Sequence, residues 1–128
     1  MESKTLNCLL IDDDPDDQEI FCMALEDMGK KVNCMFASDG VDALSKLNEN
    51  DLLPDFIFID MNMPRMNGNE CLAKIKGESH LKEIPVFMYS TSADPDAVAE
   101  TQRLGASGFI VKPTSVSELT KTLKFCLK

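Results

Sequence analysis

A chain of 128 residues is the size of one domain and can bury a core without disulfides or a structural metal. Its net charge of -9 excludes work done by neutralising nucleic-acid phosphates or by lying on an anionic membrane, since both need clustered Lys and Arg. A metal cation or a basic partner surface suits it better.

The first apolar run, LNCLLI (6–11), has strand length and is followed at once by DDDPDD. Part of that acidic stretch starts a helix: Asp14 suits the N-cap, Pro15 the first helical position, and Asp16 and Asp17 the first turn, at the positive end of the helix dipole. Ile20, Phe21, Ala24, Leu25 and Met28 then form an apolar stripe that stops at Gly29. VNCMF (32–36), shorter and more polar, reads as an edge strand. Val41, Leu44 and Leu47 mark a second helix and FIFI (56–59) a third strand. Leu72 and Ile75 mark a short third helix, and VFMY (86–89) a fourth strand. Val98, Thr101 and Leu104 mark a fourth helix ended by Gly105, and FIV (109–111) a fifth strand. In the last helix Val116, Leu119, Leu123 and Cys126 face inward behind a capping box of Ser115 and Glu118. Near-continuous apolar strands alternating with helices predict an α/β fold, a doubly wound parallel sheet with helices on both faces.

Cys8, Cys22, Cys34, Cys71 and Cys126 form no CxxC pair, and several lie within apolar runs. They are expected to be reduced, packed residues of a cytoplasmic protein. MESKTLN at the start lacks a leader's apolar stretch, and no later run reaches membrane-spanning length, so no membrane insertion is expected. With no linker or repeat, 1–128 is expected to be a single domain, its core at about 6–127, with no output domain after Lys128.

Ligands of open α/β sheets bind beyond the carboxyl ends of the strands. Those ends deliver Asp12 and Asp13 from the first strand, Asp60 from the third, Ser90 from the fourth and Lys112 from the fifth. If the first and third strands are neighbours, three carboxylates converge and need a cation. Ligands that are all oxygen select Mg²⁺ or another hard divalent ion. That explains the two aspartates that helix initiation leaves over.

The stretches LLIDDDP, FIFIDMNMPRMNGNE, PVFMYSTSA and GASGFIVKP, in this order and spacing, resemble the receiver domain of two-component response regulators, of the stand-alone, chemotaxis-regulator-like kind. The resemblance implies a (βα)5 flavodoxin-like sandwich with strand order 2-1-3-4-5. It implies Asp60 as phosphoacceptor, with Mg²⁺ held by Asp12, Asp13, Asp60 and the backbone carbonyl of Asn62. Ser90 and Lys112 would bind the phosphoryl group, and Ser90 with Phe109 would form the switch. Asn62 and Ser92 would set the dephosphorylation rate, and the Lys112–Pro113 peptide bond would be cis. A histidine kinase or histidine phosphotransfer protein would donate the phosphoryl group, and an unknown downstream protein would read the face formed by the fourth helix, fifth strand and fifth helix. No nucleic-acid partner is expected.

Chemistry agrees with these roles. A carboxylate attacking a phosphoryl group meets charge repulsion, and three aspartates, one lysine and one Mg²⁺ bring the formal charge to zero. A lone Asp after a buried strand is usually a turn residue and a lone Lys a solvated one; the coincidence of four such groups at matching strand ends favours function. Ser90 alone could bond the local backbone, and family spacing selects it over Thr91 and Ser92. His80, in GESHLKE, reads as a surface loop residue, and most of the eight methionines as core packing. Met61, Met63 and Met66 lie in the loop after Asp60, where their exposure bears on access. Departures from the commonest family pattern are Ser at 90, Phe at 109 without a phenolic hydroxyl, and Thr at 91 where a smaller residue is frequent.

Two other functions remain open. A haloacid-dehalogenase-like small phosphatase would use Asp12 as nucleophile in Asp12-Asp13-Asp14, although the chain is short and has no cap segment. A pseudo-receiver would bind partners without taking phosphate. A flavin-binding protein is excluded, because carboxylates in its first loop would repel the flavin phosphate.

Overall fold

The computed structural model describes residues 5–29, 31–49, 53–61, 66–91, 93–113 and 115–126. Strands and helices alternate in the order β1 (Leu6–Ile11), α1 (Pro15–Asp27), β2 (Val32–Ala37), α2 (Gly40–Glu49), β3 (Phe56–Asp60), α3 (Gly68–Lys76), β4 (Val86–Ser90), α4 (Pro95–Arg103), β5 (Gly108–Val111) and α5 (Val116–Cys126). The strands form one parallel sheet in the order β2-β1-β3-β4-β5. VNCMF is therefore the edge strand that its polarity predicts.

Alternation along the strands divides the core into two layers. Leu9, Ile11, Ile57, Ile59, Val86 and Met88 point to one face and pack with Ala43 and Leu47 of α2 and Cys71, Leu72 and Ile75 of α3. Cys8, Leu10, Phe58, Tyr89 and Ile110 point to the other, under Phe21, Ala24 and Leu25 of α1 and Leu119 and Leu123 of α5. Both faces being covered is why the strands read as unbroken apolar runs. Helix α2 differs from its expected stripe: Val41 is 49% exposed while Gly40, Ala43 and Leu47 are buried, so the packed face is rotated away from Val41. Gly40 leaves room for the buried Met66 side chain, whose Sδ a Cβ at Gly40 would meet at 2.5 Å.

Caps follow the local signals. The Asp14 side chain accepts a hydrogen bond from Asp16 N at 2.9 Å with Pro15 at the helix start, and Asn67 and Glu70 form a capping box on α3. Ser115 Oγ accepts from Glu118 N at 3.2 Å. The cysteines are free, Cys8 and Cys71 buried and Cys22, Cys34 and Cys126 half-buried, and His80 is exposed. No helix among the described residues is long and apolar enough to cross a membrane.

Candidate phosphoacceptor and metal site

The β1–β3 pairing aligns Ile11 with Ile59, so the next residues on the two strands, Asp12 and Asp60, stand side by side at the carboxyl edge. Asp12 is fully buried and Asp60 is 6% exposed, while Asp13, two residues beyond the strand, faces solvent. One carboxylate oxygen from each of the three lies within 4.8 Å of the others. Three hard oxygen donors at that separation fit a divalent cation that prefers oxygen and keeps part of its water shell.

Asp12 is held on all sides. Its N–H donates to Ala37 O at 3.0 Å, its carbonyl accepts from Gln18 Nε2 at 2.8 Å, and its Oδ1 accepts from Asp14 N at 3.0 Å. Burial pushes its carboxyl pKa up to about 7, with the charges of Asp60 and Asp17 adding to the rise, while the Asp14 N–H and Lys112 oppose it. The pocket thus carries more negative charge than its own groups neutralise.

Lys112 follows β5, and its N–H donates to Ser90 O at 2.6 Å. Its ammonium crosses the end of β4 and reaches Asp60 Oδ1 at 3.4 Å, Asp12 Oδ2 at 3.2 Å and Asp17 Oδ2 at 2.6 Å. On the way it passes over the Tyr89 ring, 5.1 Å from the centroid, at cation–π distance. Burial alone would lower the lysine's pKa; the Asp17 hydrogen bond and the charges of Asp12, Asp60 and Asp17 outweigh it and hold the ammonium well above its ordinary value. Tyr89 is itself pushed up to about 12, chiefly by burial.

The cis expectation for Lys112–Pro113 is corrected: no peptide bond among the described residues is cis. The long, flexible lysine stem spans the distance from a trans backbone, so the isomer that is ordinarily favoured by about 0.5–1 kcal/mol suffices.

Ser90, the last residue of β4, is 4% exposed and adjoins both Asp60 and Lys112 through the sheet register and the backbone bond above. Phe109 is half-buried and packs against the core layer beneath α2 and α3. Asn62, Ser92 and Met63 lie outside the described residues. Met66 is buried and Met61 half-buried, so these two pack rather than stand free at the site entrance. Gly68 is where the loop after Asp60 returns: a Cβ there would lie 2.9 Å from both the Asp60 carbonyl and Met61 Cα, and Gly68 N donates to Met61 O at 3.1 Å. A larger residue would push this loop off the end of β3.

Two residues of the site escape a reading of strand ends alone. Asp17 looked like a helix-starting carboxylate, yet it makes the shortest contact to Lys112. Its spacing held the signal: Asp17, Phe21 and Ala24 share one helix face, and the latter two are buried. Tyr89 reads as an ordinary strand residue, and nothing in its spacing announces the lysine above it.

The family model for the response regulator receiver domain matches residues 8–124. The chain is 34% identical over 121 residues to chemotaxis protein CheY-3 of Vibrio cholerae serotype O1, spanning 94% of this chain and 91% of that one. The crystal structure of the phosphorylated cyanobacterial phytochrome response regulator RcpA superposes with a TM-score of 0.87 at 29% identity, covering 96% of this chain and 91% of the other. The Mn²⁺-bound form of response regulator Rcp1 superposes with a TM-score of 0.82 at 28% identity, covering 94% and 90%.

Proposed function

Because this chain belongs to the response regulator receiver domain family, we propose that it takes a phosphoryl group from the phosphohistidine of a partner histidine kinase or phosphotransfer protein onto Asp60. The observation that carries this reading is the nearly buried Asp60 carboxylate with Lys112 Nζ at 3.4 Å and the oxygens of Asp12 and Asp13 within 4.8 Å. In the transfer, an Asp60 oxygen attacks phosphorus, the P–N bond to the donor breaks, and the imidazole leaves with the electron pair. Asp60 needs no proton removed, so catalysis consists of orientation and charge neutralisation. Lys112 offers an ammonium to one phosphoryl oxygen and Ser90 a hydroxyl to another. Asp12, Asp13 and Asp60, with the Asn62 carbonyl, would hold Mg²⁺, which would supply positive charge to offset the repulsion between carboxylate and phosphoryl oxygens. The relative crystallised with Mn²⁺ and the phosphorylated relative support this assignment by similarity. A cytoplasmic domain signalling through a changed binding surface follows from the same reading.

Incubation with phosphoramidate and Mg²⁺ is expected to add one base-labile phosphoryl group, located on Asp60 by mass spectrometry, and to fail with a chelator or with Asp60→Asn. A label that persists in Asp60→Asn and maps to Asp12 would favour the phosphatase reading instead; no label under any condition would favour a pseudo-receiver.

The readout is proposed to run through Ser90 and Phe109 to the surface of α4, β5 and α5. Ser90 moves toward the phosphoryl oxygens and the Phe109 ring takes the space it leaves. Phosphorylation then shifts a two-state equilibrium by its differential interaction alone, raising partner affinity by about 5- to 150-fold. Phe109→Ala is expected to take up phosphate normally and lose most of that gain in a pull-down or titration. An undiminished gain in both Phe109→Ala and Ser90→Ala would place the switch elsewhere.

A further inference from the structure

A lysine whose task lies at Asp60 is here nearest to a different carboxylate. Lys112 Nζ stands 2.6 Å from Asp17 Oδ2, against 3.2 Å to Asp12 and 3.4 Å to Asp60. The Asp17 contact is a charge-assisted hydrogen bond at short range, and only 13% of the Lys112 side chain and 23% of the Asp17 side chain are exposed, so water screens it little. The ring of Tyr89 lies beneath the same ammonium. Asp17 comes from the first turn of α1, where Phe21 and Ala24 below it anchor that helix face to the sheet. Neither Asp17 nor Tyr89 stands at a position that the phosphoryl chemistry itself requires.

We infer that Asp17 is a positioning residue that holds Lys112, over the Tyr89 ring, in a resting place from which the ammonium must be released to meet the phosphoryl group on Asp60. The inference rests on the reading of Asp60 as phosphoacceptor. An ammonium is a compact charge with three donors on a flexible stem. Swinging one donor from Asp17 to a phosphoryl oxygen breaks the shortest of the three ion pairs that Lys112 makes at rest, so Asp17 lowers the rate of phosphorylation. Once the lysine is on the phosphoryl group, Asp17 no longer holds it, and hydrolysis of the acyl phosphate is insensitive to Asp17.

The test uses the full chain with Mg²⁺ and phosphoramidate, comparing wild type with Asp17→Asn, Asp16→Asn, Lys112→Met and the Asp17→Asn/Lys112→Met double variant. Asp17→Asn is expected to phosphorylate about three- to tenfold faster, tenfold corresponding to ~1.4 kcal/mol, and to lose phosphate at the wild-type rate. Asp16→Asn removes an equal charge from an exposed neighbour on the same turn and is expected to leave both rates unchanged. Adding Asp17→Asn to Lys112→Met is expected to have no effect. In the unphosphorylated protein, nitrogen-15 NMR of the Lys112 ammonium should show its protection from exchange reduced by Asp17→Asn and untouched by Asp16→Asn. An unchanged or slower Asp17→Asn, or an acceleration shared by Asp16→Asn or surviving in Lys112→Met, overturns the inference. Absence of any Asp60-dependent label in wild type instead overturns the phosphoacceptor reading, and the NMR comparison then still reports whether Asp17 holds the lysine.

Discussion

Phe58→Ala is expected to lower the unfolding free energy by about 3–5 kcal/mol, a large share of the 5–15 kcal/mol typical of a domain. Phe58 is fully buried in the middle of the sheet, two residues before Asp60. Its ring meets Phe21 of α1 edge-on, with centroids 5.0 Å apart, and lies nearly parallel to Phe87 of β4 at 5.3 Å. Truncation removes the transfer free energy of the ring and leaves a hole between α1 and two strands that those rigid elements cannot collapse to fill. Urea unfolding should show a lower midpoint with an unchanged slope. The half-buried Phe56, at the other end of the same strand, is expected to cost less on the same substitution. A loss below about 1 kcal/mol at Phe58 would mean that the layer under α1 and α5 repacks freely, contrary to the close-packed interior described.

Asp12→Asn is expected to act in the opposite direction, stabilising the metal-free protein at alkaline pH by about 1–3 kcal/mol. The cause is the carboxyl whose pKa burial pushes up to about 7 from an ordinary 3.8. A folded-state pKa above the unfolded one means that the folded protein binds the extra proton. The stability so contributed is fully present below about pH 3.8 and is lost as pH rises through about 7. Above that, a charged carboxylate stays desolvated beside Asp60 and Asp17. The whole shift corresponds to roughly 4 kcal/mol; the variant recovers only part, because the amide gives up the charge pairing with Lys112. Urea unfolding in chelator should therefore show the variant ahead of wild type at pH 8 and the gap closing toward pH 4. A gap independent of pH would show that Asp12 does not titrate in this window. Mg²⁺ should reverse the order at pH 8, because ligand binding to the folded state stabilises only the protein that retains the carboxylate.

The two predictions separate residues kept for packing from residues kept for chemistry. Phe58 could be found from FIFI, since a strand with both faces covered must be apolar at every position. Asp12, Asp13, Asp60, Ser90 and Lys112 could be found as well, because a chain leaving a parallel sheet presents its polar residues where ligands bind. These are local signals, carried by a residue's immediate neighbours. The strand order was accessible only through resemblance, since helical spacing does not say which strands lie side by side. The face that α2 buries also had to come from packing: Gly40, without a side chain, is buried against Met66 while Val41 stays exposed, and hydrophobicity alone does not measure the room that a neighbour needs. The lysine's reach is the clearest case. Lys112 and Asp17 are 95 residues apart and β4 supplies the Tyr89 ring beneath the ammonium, so this arrangement exists only once three elements are stacked. A stem of four methylenes lets that geometry choose among Asp12, Asp17 and Asp60, and it does so from a trans peptide bond. Residue type and order thus determined which groups reach the carboxyl edge, while tertiary packing decided which of those carboxylates holds the lysine at rest, because charge pairing depends on distances that no local pattern encodes.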